Sequence, residues 1–334
     1  MNEAIKCHHN DIANYFLQNY FNEKEADINH TLIQSLHYYN FNFIRAEMID
    51  ESLFYDVCQF DYYIIASDLL NNKNIDINQE YNRYEYSKIR IWYSICSNPK
   101  PEKIRCSKTA LFRAVQKENI EIVKLLLSFD KINVNTICSY EYHDLEEWWV
   151  ERTSLFLAIE NNNIEIIKLL LSIEDINVNI INTDDYCDGG GCEYYYKYTA
   201  LYESVEQENI EIIKLLLSNK NINVNAPSRK FVDFEGGGEP GEGKWDRSAL
   251  FRAIDKENIE IVNLLLENEG IDIDAISCKL DKDGNSFFWR KNAFYRAVEK
   301  GNIEIINALL KYDFDINFIN FDSGRLDEDH QKKR

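Results

Sequence analysis

The chain has 334 residues, 45% hydrophobic and 28% charged, which is enough apolar content to bury a core and too much for a disordered chain. Its 37 Lys and Arg face 57 Asp and Glu, and the resulting formal charge of −20 repels phosphate backbones and argues against nucleic acid as a partner. No apolar stretch is long enough to span a membrane, and Met1-Asn2-Glu3 opens too polar for a signal peptide. Eight cysteines then read as reduced thiols, so a cytoplasmic location is expected, with the nucleus as the alternative.

Read in order, the chain repeats itself. Asn10–Leu17 (NDIANYFL) and Leu32–Ile44 (LIQSLHYYNFNFI) resemble fragments of a unit, and Ser52–Gln79 is a degenerate copy in full register. Five copies then superimpose without a gap: Thr109–Thr136, Thr153–Ile180, Thr199–Ala226, Ser248–Ala275 and Asn292–Ile319. Each parses into two helices. Thr109 is an N-cap, after which Leu111, Ala114 and Val115 share one helical face. Asn119 starts the second helix, whose Ile122, Val123, Leu126 and Leu127 form one broad apolar stripe. A small residue at Ala114, Ala158, Ser204, Ala253 and Ala297 lets helices approach closely. One pair cannot bury both stripes, but stacked copies can. Asn133 and Asn135 suit the turn that follows.

The pattern Thr-x-Leu-x-x-Ala, then Asn-x-Glu-Ile-Val-x-Leu-Leu-Leu, then Asn-Val-Asn resembles the ankyrin repeat, in a divergent protist-type form. The resemblance implies an all-α ankyrin solenoid with elongated β-hairpin fingers. Two departures stand out. Phe112, Phe156, Tyr202, Phe251 and Tyr295 occupy the place of the family's His, so aromatic packing is expected to replace the usual Thr–His bonding at each seam. The residues Leu111, Leu155, Leu201, Leu250 and Phe294 fall 44, 46, 49 and 44 residues apart. Against a period of about 33, each unit carries a surplus of roughly 11 to 16 residues. The expected division is 1–79 divergent repeats, 80–108 a long insert or joint, 109–322 five repeats with finger insertions, and 323–334 a polar tail. Asn307 and Ala308 partly polarise the last unit as a cap would.

The inserts Glu80–Lys108, Thr136–Arg152, Ile180–Tyr198, Pro227–Arg247 and Ile276–Lys291 vary while the helices barely change, so individuality resides there. They hold Trp92, Trp148, Trp149, Trp245 and Trp289, all five tryptophans of the chain. Packing of neighbouring hairpins on one another is the favoured reading of these rings, since exposed apolar patches are rare. Anchoring of a partner is the competing one.

Several motifs carry less than they suggest. Asp281-Lys282-Asp283-Gly284-Asn285 begins like a calcium loop but lacks the later Gly and Glu, and reads as a turn. Gly236–Gly243 is an acidic, flexible hairpin tip without the Gly-Lys-Ser/Thr ending of a phosphate loop. Cys138, His143, Cys187 and Cys192 could form a zinc site if neighbouring fingers met, on spacing alone. Glu118, Glu121, Glu208, Glu211, Glu257 and Glu260 recur with Lys124 and Lys214 as a solvated, ion-paired face.

Protein–protein recognition by a non-catalytic, monomeric scaffold is therefore the expected function, with no cofactor and no membrane or nucleic-acid partner. The charge favours a basic protein. Candidate contact residues on the concave helices are Arg113, Gln116, Lys117, Glu203, Glu206, Arg252 and Arg296. On the fingers they are Tyr142, Trp148, Trp149, Tyr195, Trp245, Phe288 and Trp289. A metal-dependent structural or sensory protein and an enzyme with an unrecognised pocket remain the two alternative classes.

Overall fold

The structure is a computed structural model that describes residues 51–59, 62–72, 75–86, 103–142, 147–187, 192–234, 245–280, 287–312 and 321–322. The fragments at 10–17 and 32–44, the Asp281–Asn285 turn, the Gly236–Gly243 tip, His143 and the 323–334 tail lie outside the described residues. The chain divides into two compact units, Met1–Asn82 with Ser107–Cys138, and Arg83–Cys106 with Ser139–Arg334.

The first unit contains the helix pair α1 (Glu51–Gln59) and α2 (Tyr63–Asn72) and the pair α3 (Ala110–Gln116) and α4 (Ile120–Leu127). Strands β1 (Tyr81–Tyr86), β2 (Lys103–Lys108) and β3 (Ile137–Tyr142) flank them in the chain. The apolar stripes meet as their spacing requires: Phe54, Val57 and Ala66 join Leu111, Ala114, Val115, Ile122, Val123 and Leu126 in the core, all essentially inaccessible. Each large aliphatic residue so buried contributes about 1.5–3 kcal/mol.

The second unit repeats one motif of strand pair and helix pair. β4 (Glu147–Thr153) leads into α5 (Ser154–Glu160) and α6 (Ile164–Leu171). β5 (Asn182–Cys187) and β6 (Cys192–Tyr198) lead into α7 (Ala200–Glu206) and α8 (Ile210–Leu217). β7 (Ser228–Phe234) and β8 (Trp245–Arg247) lead into α9 (Ala249–Asp255) and α10 (Ile259–Leu266). β9 (Ser277–Leu280) and β10 (Phe287–Lys291) lead into α11 (Ala293–Lys300) and α12 (Ile303–Leu309), and β11 (Phe321–Asp322) follows. Each hairpin pairs antiparallel with the next, so β4 through β11 form one open sheet in sequence order. The inserts are therefore fingers that knit edge to edge.

Local chemistry fixes the helix starts. The side chains of Thr109, Thr153, Thr199, Ser248 and Asn292 accept a hydrogen bond from the backbone N–H three residues on, at 2.9–3.2 Å. Asn163, Asn209, Asn258 and Asn302 do the same for the second helices at 3.0–3.2 Å. Asn119 caps without a side-chain bond to its own helix. Its Nδ2 donates instead to the carbonyl of Cys58, 2.9 Å away. The residue before each of these asparagines turns left-handed: Glu118, Asn162, Glu208 and Glu257 at φ of 55–57°, and Gly301 at 70°.

The asparagines after each second helix do more than close a turn. Asn177 Oδ1 accepts from the N–H of Asn179, two residues on, at 3.0 Å. Asn179 then reaches the next repeat, where its Nδ2 donates to the carbonyl of Asn221 and its Oδ1 accepts from the N–H of Asn223, both at 2.7 Å. Asn225 repeats this with Gly270 and Asp272, and Asn78 with Lys131 and Asn133 in the first unit. The last helix pair is less polarised than its sequence suggests, because Val298, Ile303 and Leu310 are exposed beside the exposed Asn307.

Candidate partner-binding surface

The strand-end position directly before each first-helix N-cap carries a cation in four of five copies: Lys108, Arg152, Arg247 and Lys291. Each reaches the polar side chain eight residues on, at the far end of the following helix. Lys108 Nζ donates to Gln116 Oε1 at 3.3 Å, and Arg152 Nε to Glu160 Oε1 at 3.0 Å. Arg247 Nη1 donates to Asp255 Oδ2 at 3.1 Å, and Lys291 Nζ to Glu299 Oε1 at 2.7 Å. Three of these cations also lie over the aromatic that replaces the family's His: Arg152 over Phe156 at 5.0 Å, Arg247 over Phe251 at 5.9 Å, and Lys291 over Tyr295 at 5.6 Å. At these three positions the partner of the aromatic is a cation of its own repeat, where aromatic packing was expected.

The third of these repeats departs from the pattern. Tyr198 stands where the cation would be, and its ring stacks on Phe156 at 6.4 Å and Tyr196 at 5.8 Å. Glu206, eight residues on, pairs instead with Arg252 of the next repeat, at 2.5 and 2.7 Å. The network continues through Asp255, which receives Arg247 and also Arg296 from the following repeat at 2.5 Å. The Arg252 bond holds the Glu206 carboxyl below the usual carboxylate range. Burial pushes Glu203 above it, and the nearby Glu206 and Asp184 add to that rise.

Two buried N–H groups at the seam use a second device. Asn182 Oδ1 accepts from the Thr153 N–H at 2.8 Å, and Ser228 Oγ from the Thr199 N–H at 3.3 Å. Cys138, in the first unit, holds the same position against Thr109, and burial pushes its thiol up to about 12. A thiol so placed is a small buried acceptor rather than a ready metal ligand. Cys187 and Cys192 lie on the paired strands β5 and β6. Among the described residues no group of three or more His, Cys, Asp or Glu is placed to hold a metal ion. A cavity of about 350 Å³ lies between the loops after α6 and α8. Its two serines, Ser172 and Ser218, donate to the helix carbonyls of Leu169 and Leu215, and no His or Cys lines it.

A family model for ankyrin repeats (three copies) matches residues 69–182, 143–228, 182–277 and 236–320. The chain belongs to the ankyrin-repeat family. Among solved structures it is similar to the crystal structure of the ankyrin repeat domain of Bcl-3, described as a unique member of the IkappaB protein family. That match has 17% identity, covers 80% of this chain and 88% of that one, and has a TM-score of 0.46. No curated protein matches the chain.

On this ankyrin-repeat scaffold the sequence-predicted contact residues fall into three groups. Arg113, Gln116, Glu206, Arg252 and Arg296 are engaged within the chain: Arg113 is buried, donates to Gln116 at 2.7 Å and lies over Tyr55 at 5.6 Å. Lys117, Trp149, Tyr195 and Glu203 keep surface. Lys117 is an exposed helix C-cap, and Trp149 is 37% exposed. Tyr195 and Glu203 are half-buried, with Tyr195 beneath Lys197 at 5.1 Å. Tyr142, Trp148, Trp245, Phe288 and Trp289 lie on β3, β4, β8 and β10, their side chains outside the described residues. The eight-residue pairs escaped the sequence reading. Their signal was the basic residue before the cap in four copies.

Proposed function

We propose that this ankyrin-repeat chain is a non-catalytic cytoplasmic scaffold or adaptor that holds a basic protein partner through its concave face and fingers. Ankyrin repeats generally mediate protein–protein interaction. The observation that carries the basic partner is the formal charge of −20; five of the second helices add an exposed acid at one place, Glu121, Glu165, Glu211, Glu260 and Glu304, partly balanced by the exposed Lys124, Lys168 and Lys214. Such a field attracts cations and gives a salt-sensitive association rate. Thiols outside any disulfide at Cys58, Cys138 and Cys278 fit a reducing compartment.

The test is affinity capture from native lysate at several salt concentrations, with the intact chain and with a variant whose fingers are cut to tight turns. A basic partner held by the intact chain, and released as salt rises, is expected. Its loss from a folded short-finger variant would assign binding to the fingers, and its retention to the helices. Nothing captured above background at any salt would sink the reading.

A further inference from the structure

The chain is acidic, but one part of its hairpin sheet is not. Strands β6 to β10 carry seven basic residues (Lys197, Arg229, Lys230, Arg247, Lys279, Arg290 and Lys291) against three acidic ones (Glu193, Asp233 and Asp246). Asp255 and Glu299 neutralise Arg247 and Lys291, and the remainder is still basic. The preceding strands β4 and β5 have the opposite sign, with Glu147, Glu151, Asp184 and Asp185 against Arg152 alone.

The register concentrates this charge. Lys197 stands directly opposite Arg229, Arg229 opposite Asp246, Asp246 opposite Cys278, and Cys278 opposite Arg290. Three cations and one acid thus share a single row across five strands. Like charges directly opposite weaken a sheet, and the pairing of Arg229 with Asp246 at 3.1 Å leaves Arg229 57% exposed. Two residues along, and so on the same face, Tyr195 lies beside Lys197. Beyond Tyr195 in its own row the register places Asp185, and beyond that Trp149, so the basic stretch ends at β6.

We propose that this row, from Lys197 through Arg229 to Arg290, docks an acidic peptide segment whose carboxylates meet the three cations and whose apolar side chains rest on Tyr195. The proposal rests on the protein-binding reading above and adds a second ligand of opposite charge. Strands lie about 4.8 Å apart, so Lys197 and Arg229 are one step apart and Arg290 three steps further. A chain crossing the strands meets them in succession. Asp185, directly opposite Tyr195 on β5, and Glu151, beyond Thr183 in the Lys197 row, bar the segment from running past β6, which fixes its direction.

The test is fluorescence anisotropy with the full chain and three probes: a short labelled peptide alternating Glu and Tyr, its Lys and Tyr counterpart, and a labelled single-stranded oligonucleotide. The chain is expected to bind the Glu peptide. The variant K197E/R229E should weaken that binding about tenfold or more, the effect of turning two surface attractions into repulsions. The variant K197Q/R229Q should fall between, and K214E/K220E, with the same change in net charge, should bind as the parent does. Thermal melts confirm that each variant folds. Equal weakening by K214E/K220E, no binding of the Glu peptide, or preference for the oligonucleotide overturns the proposal. Binding of the Lys peptide alone overturns it while leaving the scaffold with a basic partner standing.

Discussion

Arg247 and Asp255 bracket α9. The guanidinium precedes the N-cap Ser248, the carboxylate ends the helix, and Nη1 lies 3.1 Å from Oδ2. Asp255 also receives Arg296 from the next repeat, and its side chain is only 5% exposed. One carboxylate therefore bridges two guanidinium groups from successive repeats, with a third, Arg252, at 4.0 Å. Asp255→Ala leaves them facing one another, and a loss of about 3–5 kcal/mol is expected. Glu121→Ala breaks an exposed pair with Lys124 and should cost no more than about 0.5 kcal/mol. Urea unfolding of both variants checks this. Equal losses would mean that the buried carboxylate does not bind the seam.

The Asn225 side chain both donates to and accepts from the next repeat, through its amide Nδ2 and Oδ1. Asn225→Asp keeps the acceptor for the Asp272 N–H and loses the donor to Gly270. A cost of about 1 kcal/mol is expected, and about 2 kcal/mol for Asn225→Ala, which loses both. Hydrogen exchange separates the two. The Asp272 amide should exchange faster in the Ala variant and near the parent rate in the Asp variant. Similar exchange in all three would show that the Asn bridges add nothing at this seam.

What the sequence made readable was what repeated identically. The caps at Thr109 and Thr153, the close-packed Ala114 and Ala158, and the Ile122-Val123 stripe recur at fixed spacing, and local hydrogen bonding and burial dictate each of them. The ladder of cations was harder to see because its chemistry recurs while its letters change: Lys, Arg, Tyr, Arg and Lys before the cap, Gln, Glu, Glu, Asp and Glu at the helix end. Periodicity could say that Arg252 and Arg296 lie off the core. It could not say which carboxylate meets them, because Glu206 and Asp255 come from the preceding repeat, 46 and 41 residues away. The finger strands matched expectation because hairpins were the place left for the surplus residues. Their register, which sets Lys197 against Arg229, depends on pairing between successive fingers that share little sequence.

Gly301 occupies the left-handed position that Glu118, Asn162, Glu208 and Glu257 fill elsewhere. A Cβ built on it meets nothing within 4 Å. Gly301→Ala therefore isolates the backbone contribution, and a loss of about 1 kcal/mol is expected. Crowding has no part in it. The reciprocal change Glu257→Gly should gain a similar amount, less the exposed contact with Lys300 at 3.4 Å. Thermal unfolding of the pair measures both signs. A neutral Gly301→Ala would show that this turn tolerates a side chain without strain.

Glu203 and Glu206 lie one turn apart on α7 and titrate in opposite senses. Arg252 holds Glu206 below its ordinary value, so its contribution is present above about pH 4.3, the unfolded value, and is lost as pH falls through the folded one. Burial, with Glu206 and Asp184 nearby, holds Glu203 above its ordinary value. Its contribution is therefore present below about pH 4.3 and lost as pH rises through the folded value, leaving a penalty near neutrality. Glu203→Gln should stabilise the chain near neutral pH and lose that advantage in acid. The Gln207 Nε2 bond to Glu203 Oε1 at 3.0 Å survives the change, since the amide oxygen also accepts. Glu206→Gln should destabilise near neutral pH, and its deficit should shrink in acid. Urea midpoints across the acid range decide this. Curves parallel to the parent for both variants would mean that neither carboxyl is coupled to folding.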